Sequence, residues 1–469
     1  MHALKLCAAG AAMLIATTAA GPVAAQFFDA PPPVQKKAKK TTKQAAPKPV
    51  EPATPPPAAT AAPPAAVAPA PTAQAAQALV PKRPPPPPAH ENCRNTGSFG
   101  TWLEGFKQKA TAQGISRGTI AEALGGLTLD GSVIARDRKQ GFFAQTFLDF
   151  QGRLATANRI QSSRRKMAEN KATFDRVQQE FGVPASVITG FWALESDFGA
   201  GMGKFPILPA LATLAYDCRR TEMFHEELIA ALQIIDRGSM RPSEMIGSWA
   251  GEIGQTQFLP TRYLDYAIDY DGDGRANLFR NDADVIGSTA NYMKNLGWRA
   301  GEPWLEEVRV TGELPWQEAD LAIKHPVAQW AEWGVKRIDG GPLPQSNLTA
   351  SLLLPMGRFG PAFLAYPNFD VYTQWNQSLN YATTAAYLAT RIDGAPAMSR
   401  GRGPIPGLDF AQTKELQTLL ANRGYDVGKI DGLAGAKTRL AVKDMQLKLK
   451  LPPDSFATPE LLAALRGGR

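Results

Sequence analysis

The chain has few of the side chains on which metal and thiol chemistry depend. Its 469 residues include three cysteines and only four histidines, at positions 2, 90, 225 and 325. A zinc site needs several histidine or cysteine ligands close together, and residues scattered this widely give no such signature. A glycine-rich phosphate loop between a strand and a helix is also missing. These absences argue against zinc enzymes, nucleotide hydrolases and dinucleotide-dependent dehydrogenases.

Long apolar runs are confined to the N-terminus. Residues 1–25 combine Lys5, an Ala- and Leu-rich stretch and a small-residue cleavage site before Gln26, as cleavable secretory signals do. Cys7 lies too early in this segment to resemble the anchor of a lipoprotein. No later stretch reaches the roughly 18 apolar residues of a membrane helix. We therefore expect export, removal of residues 1–25 and a periplasmic location.

Removal of that segment would leave two cysteines, Cys93 and Cys218. An even pair in an oxidising compartment favours a disulfide between them. Two buried free thiols are the alternative.

Positive charge is concentrated in one segment of the chain. The net charge is +8, and residues 26–92 carry eight Lys/Arg against three acids, so they supply +5 of it. This segment is rich in proline and alanine and has too few bulky apolar side chains to offset the entropy of ordering. We expect a basic, extended linker, whose charge suits an anionic polymer or a membrane surface as well as a nucleic acid, so charge alone does not decide among them. The rest of the chain is nearly balanced in charge, so the net charge is not by itself an argument for a nucleic-acid partner, and we expect none.

The spacing of apolar residues predicts a mainly α fold. The apolar residues have helical spacing over most of residues 93–400. Three segments between 305 and 372 are instead typical of strands: LEEVRV, ASLLLP and AFLAYPNFDVY. A small inserted antiparallel sheet is therefore expected. Glycine and proline mark residues 401–407 as a second linker, and residues 408–469 contain three further helical segments. The small C-terminal domain is predicted to be a three-helix unit.

One acidic residue, Glu195, lies in aromatic company in FWALESDFGAGMGKF. Read as a helix, its face also carries three aromatic residues: Phe191, Trp192 and Phe198. A carboxyl group packed against rings loses hydration, so its pKa rises and it can donate a proton near neutral pH. A helix-end glutamate with its carboxylate in water is the alternative.

A glycine-rich stretch, SWAGEIGQ, follows at residues 248–255. Glycines let a polymer approach the backbone, and Gln255 can exchange hydrogen bonds with sugar hydroxyls or acetamides. Aromatic residues close by could stack on sugar rings, although rings at such spacing more often belong to a core. They are Trp249, Phe258, Tyr263 and Tyr266.

An acidic loop matches the start of an EF-hand calcium loop. Three alternate aspartates precede Gly274: Asp269, Asp271 and Asp273. The carbonyl of Arg275 would supply the next oxygen ligand. Position 12 of the loop is Arg280, which cannot chelate, so Asp282 or Asp284 would have to close a longer loop. A solvated acidic turn without an ion is the alternative.

Four ordered motifs resemble the lytic murein transglycosylases of the membrane-bound B type: ALESDFG, SWAGEIGQTQFLPTRY, DYDGDG and WNQSLNYA. The similarity covers about residues 93–400. It implies a lysozyme-like domain that cleaves the MurNAc–GlcNAc β-1,4 bond of peptidoglycan strands and leaves 1,6-anhydroMurNAc ends. The family's catalytic glutamate falls on Glu195, and its pattern implies structural Ca²⁺ in a loop closed by Asp284. The implied substrate-binding residues are Ser248, Gln255, Asn291, Tyr292, Asn376, Ser378 and Tyr381.

A glycosidase usually employs two carboxylates, and a second one is hard to find here. Asp197 would point about 200° away from Glu195 around a helix. Glu252 lies inside the glycine-rich turn and is a weak candidate. One carboxyl group suffices if it first protonates the glycosidic oxygen and then takes the proton of the C6 hydroxyl, which closes the anhydro ring. The alternatives are a hydrolytic muramidase and a non-catalytic scaffold that binds peptidoglycan.

The C-terminal segment, residues 408–469, resembles the small peptidoglycan-binding domain of many wall hydrolases. The resemblance rests on Gln417, Gln446, Thr438 and the turn RGYDVGKIDGLAG. Such a module raises the local concentration of substrate without adding chemistry. A helical dimerisation domain is the alternative.

Overall fold

The computed structural model describes His90, residues 93–139 and residues 146–467, which all belong to one compact unit. The predicted signal segment (1–25) and the predicted linker (26–92), apart from His90, lie outside the described residues. No helix in the described part is both long and apolar enough to cross a bilayer.

Helices make up most of the described chain. The first fourteen are α1 (Phe99–Ala112), α2 (Arg117–Leu124), α3 (Gly131–Lys139), α4 (Phe147–Leu154), α5 (Ala157–Glu169), α6 (Lys171–Phe181), α7 (Ala185–Ser196), α8 (Ile207–Tyr216), α9 (Thr221–Asp236), α10 (Pro260–Tyr266), α11 (Asp282–Leu296), α12 (Val327–Glu332), α13 (Phe369–Trp375) and α14 (Leu379–Ile392). The C-terminal three are α15 (Phe410–Ala421), α16 (Ala436–Lys448) and α17 (Pro459–Arg466).

Two small antiparallel sheets accompany them. The strands are β1 (Phe205–Pro206), β2 (Ile246–Gly247), β3 (Leu305–Val310), β4 (His325–Pro326), β5 (Val335–Arg337), β6 (Thr349–Leu353) and β7 (Ala362–Ala365). β1 pairs with β2, and the other five form one sheet in the order β4-β6-β7-β3-β5. The predicted fold class, mainly α with a small inserted antiparallel sheet and a three-helix C-terminal unit, is confirmed.

One strand prediction was wrong in its second half. In AFLAYPNFDVY only Ala362–Ala365 is a strand, and α13 begins at Phe369. Pro367 cannot donate to a strand ladder. Asn368, fully buried, bonds through its side chain to the backbone N–H and carbonyl of Arg299 and to the carbonyl of Glu302, which fixes the turn into the helix.

Helix α7 lies at the centre of the fold. Its residues 186–196 are all buried, as expected of a helix that is apolar on every side. Gly190 lies against α14, where a Cβ atom would be in ordinary contact with the Cβ of Ala389, at 3.6 Å. The helix ends at Ser196 because Asp197 adopts the left-handed conformation, with φ of 48°. This termination places Glu195 in the last turn, at the edge of the core.

The C-terminal unit, residues 408–467, contains α15, α16 and α17 around its own apolar core. Two buried glutamines brace its loops. The Gln417 side chain bonds to the backbone of Lys429, Gly432 and Leu433, and the Gln446 side chain bonds to Ser455 and Asp454. The two glutamines that carried the family resemblance therefore have structural partners inside the unit.

The C-terminal unit is docked on the inserted sheet and its loops by polar contacts. Lys443 Nζ lies 3.0 Å from Asp320 Oδ2, and both side chains are largely buried. Arg439 donates to the carbonyl oxygen of Leu354 at 3.0 Å. Asp454 accepts a hydrogen bond from the backbone N–H of Arg358 at 2.9 Å. These contacts hold the unit against residues 320–358.

A disulfide joins Cys93 to Cys218. It ties the start of the described chain to the turn between α8 and α9, 125 residues further on.

Candidate active site

Glu195 is buried at the end of α7, with 3% of its surface exposed. Both of its hydrogen-bond donors come from the far end of the domain. Trp375, the last residue of α13, donates from Nε1 to Oε1 at 2.8 Å, and the hydroxyl of Tyr381 in α14 donates to the same oxygen. The carboxyl group is thus held by two side chains some 180 residues away in sequence.

Burial raises the pKa of Glu195 to about 8, although the hydrogen bonds from Tyr381 and Trp375 lower it in part. Desolvation outweighs the two donors because a carboxylate loses far more hydration than two hydrogen bonds restore. Glu195 therefore carries a proton at neutral pH and can act as a general acid.

The aromatic surroundings of Glu195 differ from those expected from sequence. Phe191 packs at a tilt against Trp375, with ring centroids 4.4 Å apart, and the Trp375 ring centroid lies 5.1 Å from that of Tyr292. The expectation that Phe198 shares a helical face with Glu195 was wrong. Helix α7 has ended before Phe198, which has a φ of 60° and packs edge-on against Trp192.

Trp375 was the functional residue that sequence reasoning missed. It comes directly before Asn376 in WNQSLNYA, so an aromatic residue next to a predicted motif was the available signal. Nothing local could show that its indole N–H points to a residue on α7.

Asp197 is engaged elsewhere. Its carboxylate forms a bidentate ion pair with Arg159 of α5, at 2.6 and 2.9 Å. The prediction that it points away from Glu195 assumed a helix, whereas the left-handed backbone at Asp197 turns it toward α5.

Glu252 is a second buried carboxyl group near Glu195, with 4% of its surface exposed. Ser248 Oγ donates to its Oε2 at 2.7 Å and accepts the backbone N–H of Glu252 at 3.2 Å. Burial first, and the neighbouring Glu195 second, raise the pKa of Glu252 well above its usual range, against the hydrogen bond from Ser248 and the charge of Arg220. The raised pKa and the hydrogen bond from Ser248 both make Glu252 a poor nucleophile or base.

Gln255 lies beside the site, and its side chain is already bonded within the protein. Its Oε1 accepts from Trp192 Nε1 at 2.8 Å, and its Nε2 donates to the carbonyl of Phe279 at 3.1 Å. Gly199 makes this arrangement possible. It has a φ of +87°, and a Cβ atom there would lie 2.7 Å from Gln255 Oε1.

Asn291 and Tyr292 of α11 face different surroundings. Asn291 donates to the carbonyl of Tyr266 at 2.9 Å and accepts from Asn295 at 3.1 Å, so both ends of its amide are used. Tyr292 stacks on Tyr266, with centroids 4.6 Å apart, and lies beside Trp375. Tyr292 thus belongs to the aromatic wall around Glu195, and Asn291 braces the helix behind it.

The N-x-S-x-x-Y motif shapes the start of α14. Asn376 accepts the backbone N–H of Ser378, and Ser378 caps the helix by accepting the N–H of Tyr381 at 3.4 Å. The cap sets the helix start, and with it the position from which the Tyr381 hydroxyl reaches Glu195.

The four aromatic residues expected near the glycine-rich turn are all buried in the core: Trp249, Phe258, Tyr263 and Tyr266.

The acidic loop brings three carboxylates together. Oxygens of Asp269, Asp271 and Asp273 lie within 4.8 Å of one another. Asp269 accepts the backbone N–H groups of Gly272, Asp273 and Gly274, which folds the loop around its carboxylate. Three convergent hard oxygens fit the donor set that Ca²⁺ prefers.

The expected closing ligands have other partners. Asp284 accepts the backbone N–H groups of Tyr270 and Asn277, each at 2.7 Å, and braces the two ends of the loop. Asp282 pairs with Lys166 at 2.8 Å. The side chain of Arg275 reaches Glu244 at 3.4 Å, which leaves its carbonyl as the predicted ligand atom.

Two family models match the chain. Residues 98–390 match the Transglycosylase SLT domain, and residues 411–465 match a peptidoglycan binding domain. The matched regions correspond to the domain and the C-terminal unit that the sequence patterns separate.

Known proteins match as well. Membrane-bound lytic murein transglycosylase B of Escherichia coli (strain K12) is 33% identical over 247 residues, which cover 52% of this chain and 67% of that protein. The crystal structure of SltB3 from Pseudomonas aeruginosa in complex with NAG-anhNAM-pentapeptide has a TM-score of 0.74 and 39% identity, and covers 79% of this chain and 100% of its own. The structure of the Escherichia coli lytic transglycosylase Slt35 in complex with calcium has a TM-score of 0.54 and 30% identity, over 62% of this chain and 92% of its own.

Proposed function

Because this chain belongs to the transglycosylase SLT domain family and is a lytic transglycosylase of peptidoglycan, we propose that Glu195 is its single catalytic acid and base. The bond cleaved is the MurNAc–GlcNAc β-1,4 linkage, and the products carry 1,6-anhydroMurNAc ends. The observation that carries this proposal is one buried, protonated carboxyl group at the edge of the core, held by two donors.

In the first half of the reaction, Glu195 gives its proton to the glycosidic oxygen as the C1–O bond breaks. The substrate's own acetamide stabilises the cationic centre. In the second half, the Glu195 carboxylate takes the proton of the C6 hydroxyl, and O6 forms the bond to C1. No water is consumed, and the carboxyl group returns to its protonated state.

The state of Glu252 favours this scheme over hydrolysis. A muramidase would need an ionised second carboxylate to activate water or to attack the sugar. Glu252 is buried and bonded to Ser248, and burial raises its pKa well above the usual range, which disfavours the ionised form. Asp197 is paired with Arg159.

The predicted substrate-binding residues divide into two groups. Tyr292 lies in the aromatic wall beside Glu195, and we propose that this wall borders a sugar subsite. Tyr381 holds the catalytic carboxyl group. The remaining predicted residues, whose polar groups bond within the protein, would shape the cleft from behind: Ser248, Gln255, Asn291, Asn376 and Ser378.

The test is digestion of purified sacculi followed by mass spectrometry. The native chain is expected to release anhydro-muropeptides, and Glu195→Gln is expected to lose at least a thousandfold in turnover while still binding glycan, since general acid–base groups contribute about 10²–10⁴-fold per step. Glu226→Gln, an exposed glutamate on α9, is the matched control and should keep full activity. Hydrated products, or activity retained by Glu195→Gln, would refute the assignment.

Calcium would have a structural role in the acidic loop. Asp269, Asp271 and Asp273, with the carbonyl of Arg275, would hold the ion, and Asp284 would close the loop if one of its oxygens also faces the ion. The calcium complex of Slt35 supports this proposal. A bound Ca²⁺ would offset two of the three negative charges of these carboxylates and fix the loop that precedes α11.

We further propose that the chain acts in the periplasm, after removal of residues 1–25. The signal-like composition of that segment and the disulfide between Cys93 and Cys218 support this location. The proposed division is a linker over 26–92, a catalytic domain over 93–400, a short linker over 401–407 and a wall-binding domain over 408–469. The last of these would raise the local concentration of glycan strands around the catalytic domain.

A further inference from the structure

The two oxygens of the Glu195 carboxyl group have unequal surroundings. Trp375 Nε1 and the Tyr381 hydroxyl both donate to Oε1. Among the described residues, no protein donor lies within hydrogen-bond distance of Oε2. The asymmetry is built by two different helices, α13 and α14, which converge on one atom.

An oxygen that accepts two hydrogen bonds has both of its lone-pair directions occupied and is a poor site for a proton. The proton of a neutral Glu195 must therefore reside on Oε2. We propose that Trp375 is a positioning residue, which together with Tyr381 fixes Oε1 so that Oε2 alone exchanges the proton with the glycan. This inference rests on the proposed role of Glu195 and adds to it the oxygen that reacts and the residue that orients it.

Packing keeps Trp375 in this orientation. Its ring lies 4.4 Å from that of Phe191, 5.1 Å from Tyr292 and 5.8 Å from Phe258, so aromatic neighbours restrict rotation of the indole. Tyr381 is 1% exposed. Trp375 is half-buried and flanked by three rings, and Tyr381 is fully buried, so packing favours the orientation in which both donate to Oε1.

In the resulting sequence of steps, the Oε2–H bond breaks and the glycosidic oxygen gains the proton as its bond to C1 breaks. Oε1 keeps both donors and carries most of the new negative charge, which charge-assisted hydrogen bonds stabilise. The C6 hydroxyl then gives its proton to Oε2 as O6 bonds to C1. The indole N–H and the phenol O–H donate throughout and are not consumed.

Several charged or titratable groups surround Glu195 from the other elements. Glu252 faces it from the glycine-rich turn, and Arg159 of α5 is neutralised by Asp197. Lys166 of α5 lies over the Trp192 ring and pairs with Asp282. None of these groups is altered when the donor at Trp375 is removed, so a change in the pH profile reports on the Oε1 contact.

The test is the pH profile of turnover in Trp375→Phe. Loss of a donor to the charged form disfavours the carboxylate, so the alkaline limb of kcat is expected to move upward by about one pH unit. We expect kcat to fall about tenfold and KM to change less than threefold, because orientation matters most in the transition state. Trp304→Phe is the matched control. It also loses an indole donor, to the carbonyl of Ala386, and should leave the limb in place.

Tyr381→Phe provides an independent variant if Trp375→Phe folds poorly, and it should shift the limb in the same direction. A crystal structure of Glu195→Gln with bound glycan tests the oxygen assignment directly. Its amide oxygen should accept from Trp375 and Tyr381, and its NH₂ group should face the glycosidic oxygen. An unmoved limb in both variants, or the amide in the opposite orientation, would overturn the inference. An active Glu195→Gln would instead overturn the proposed function.

Discussion

At the scale of single residues, the properties of Glu195 come from competition between burial and hydrogen bonding. Two donors favour its ionised form, yet the group is almost fully removed from water, and burial dominates. Glu252 is buried to the same degree with one hydroxyl donor, and its pKa is raised further by Glu195. Burial thus raises the pKa of both neighbouring carboxyl groups, and Glu195 is the one held by two donors from distant helices.

The burial of Glu195 also predicts how stability depends on pH. Its pKa rises from 4.5 to about 8 on folding, so its contribution to stability is complete below about pH 4.5 and is lost as pH increases toward 8. Glu195→Gln stays neutral, and its free energy of unfolding should match that of the native chain near pH 5 and exceed it at pH 9. The difference in free energy of unfolding between the variant and the native chain should be at most about 5 kcal/mol, because each unit of pKa shift corresponds to about 1.4 kcal/mol.

Urea unfolding of both proteins at several pH values measures this difference. Glu226→Gln, which alters an exposed glutamate, should show no pH-dependent difference from the native chain. A constant gap between Glu195→Gln and the native chain across pH 5–9 would contradict the burial of an ionisable group at this position.

At the scale of elements, the site is built where α7, α13 and α14 meet the glycine-rich turn. Gly199 leaves room for the Gln255 side chain beside the end of α7, and α14 packs against α7 at Gly190. Helix caps set the rest of the geometry. Ser378 starts α14, which carries Tyr381, and α13 ends at Trp375.

The acidic loop allows a prediction at this scale. Excess Ca²⁺ should raise the melting temperature of the metal-free chain, because ligand at 100-fold its Kd adds about 2.7 kcal/mol to stability. The double variant Asp269→Asn/Asp271→Asn should lose this response in differential scanning fluorimetry. Asp175→Asn, on α6 and paired with Lys171, is the control and should keep it. A native chain that is equally stable in calcium and in chelator would contradict a calcium site.

At the scale of the whole molecule, the C-terminal unit is fixed to the catalytic domain by polar contacts. Lys443 and Asp320 have side chains only 13% and 17% exposed, so breaking the pair leaves a poorly hydrated charge behind. We expect Asp320→Asn to lower the free energy of unfolding by about 2 kcal/mol, between the values for exposed and fully buried pairs. It should also accelerate proteolytic cleavage in residues 401–407.

Denaturant unfolding and limited proteolysis measure the two effects. Lys437→Gln breaks an exposed pair with Asp426 in the same unit and serves as the control, with no change expected. Unchanged cleavage in Asp320→Asn would show that the pair does not hold the unit in place.

The sequence predicted those features that depend on interactions between residues close together in the chain. Helix α7, the start of the aspartate loop and the three C-terminal helices follow from apolar spacing and turn residues, which act over a few positions. The same local reasoning correctly placed Glu195 among aromatic rings. It also predicted a disulfide partner for Cys93 from the parity of the cysteines alone, and the structure contains that pair.

Tertiary structure decided which groups meet Glu195. The sequence pattern named Phe198 as its neighbour, whereas the chain leaves the helix at Asp197 and Trp375 takes that role from 180 residues away. Gln255 and Asn291 have the chemistry of sugar ligands, yet both amides are directed into the protein. Residue type and spacing by themselves determined the fold class and singled out Glu195, the proposed acid. Only packing between distant helices determined which oxygen of Glu195 is held and which predicted side chains are bonded within the protein, because these depend on contacts that no local pattern encodes.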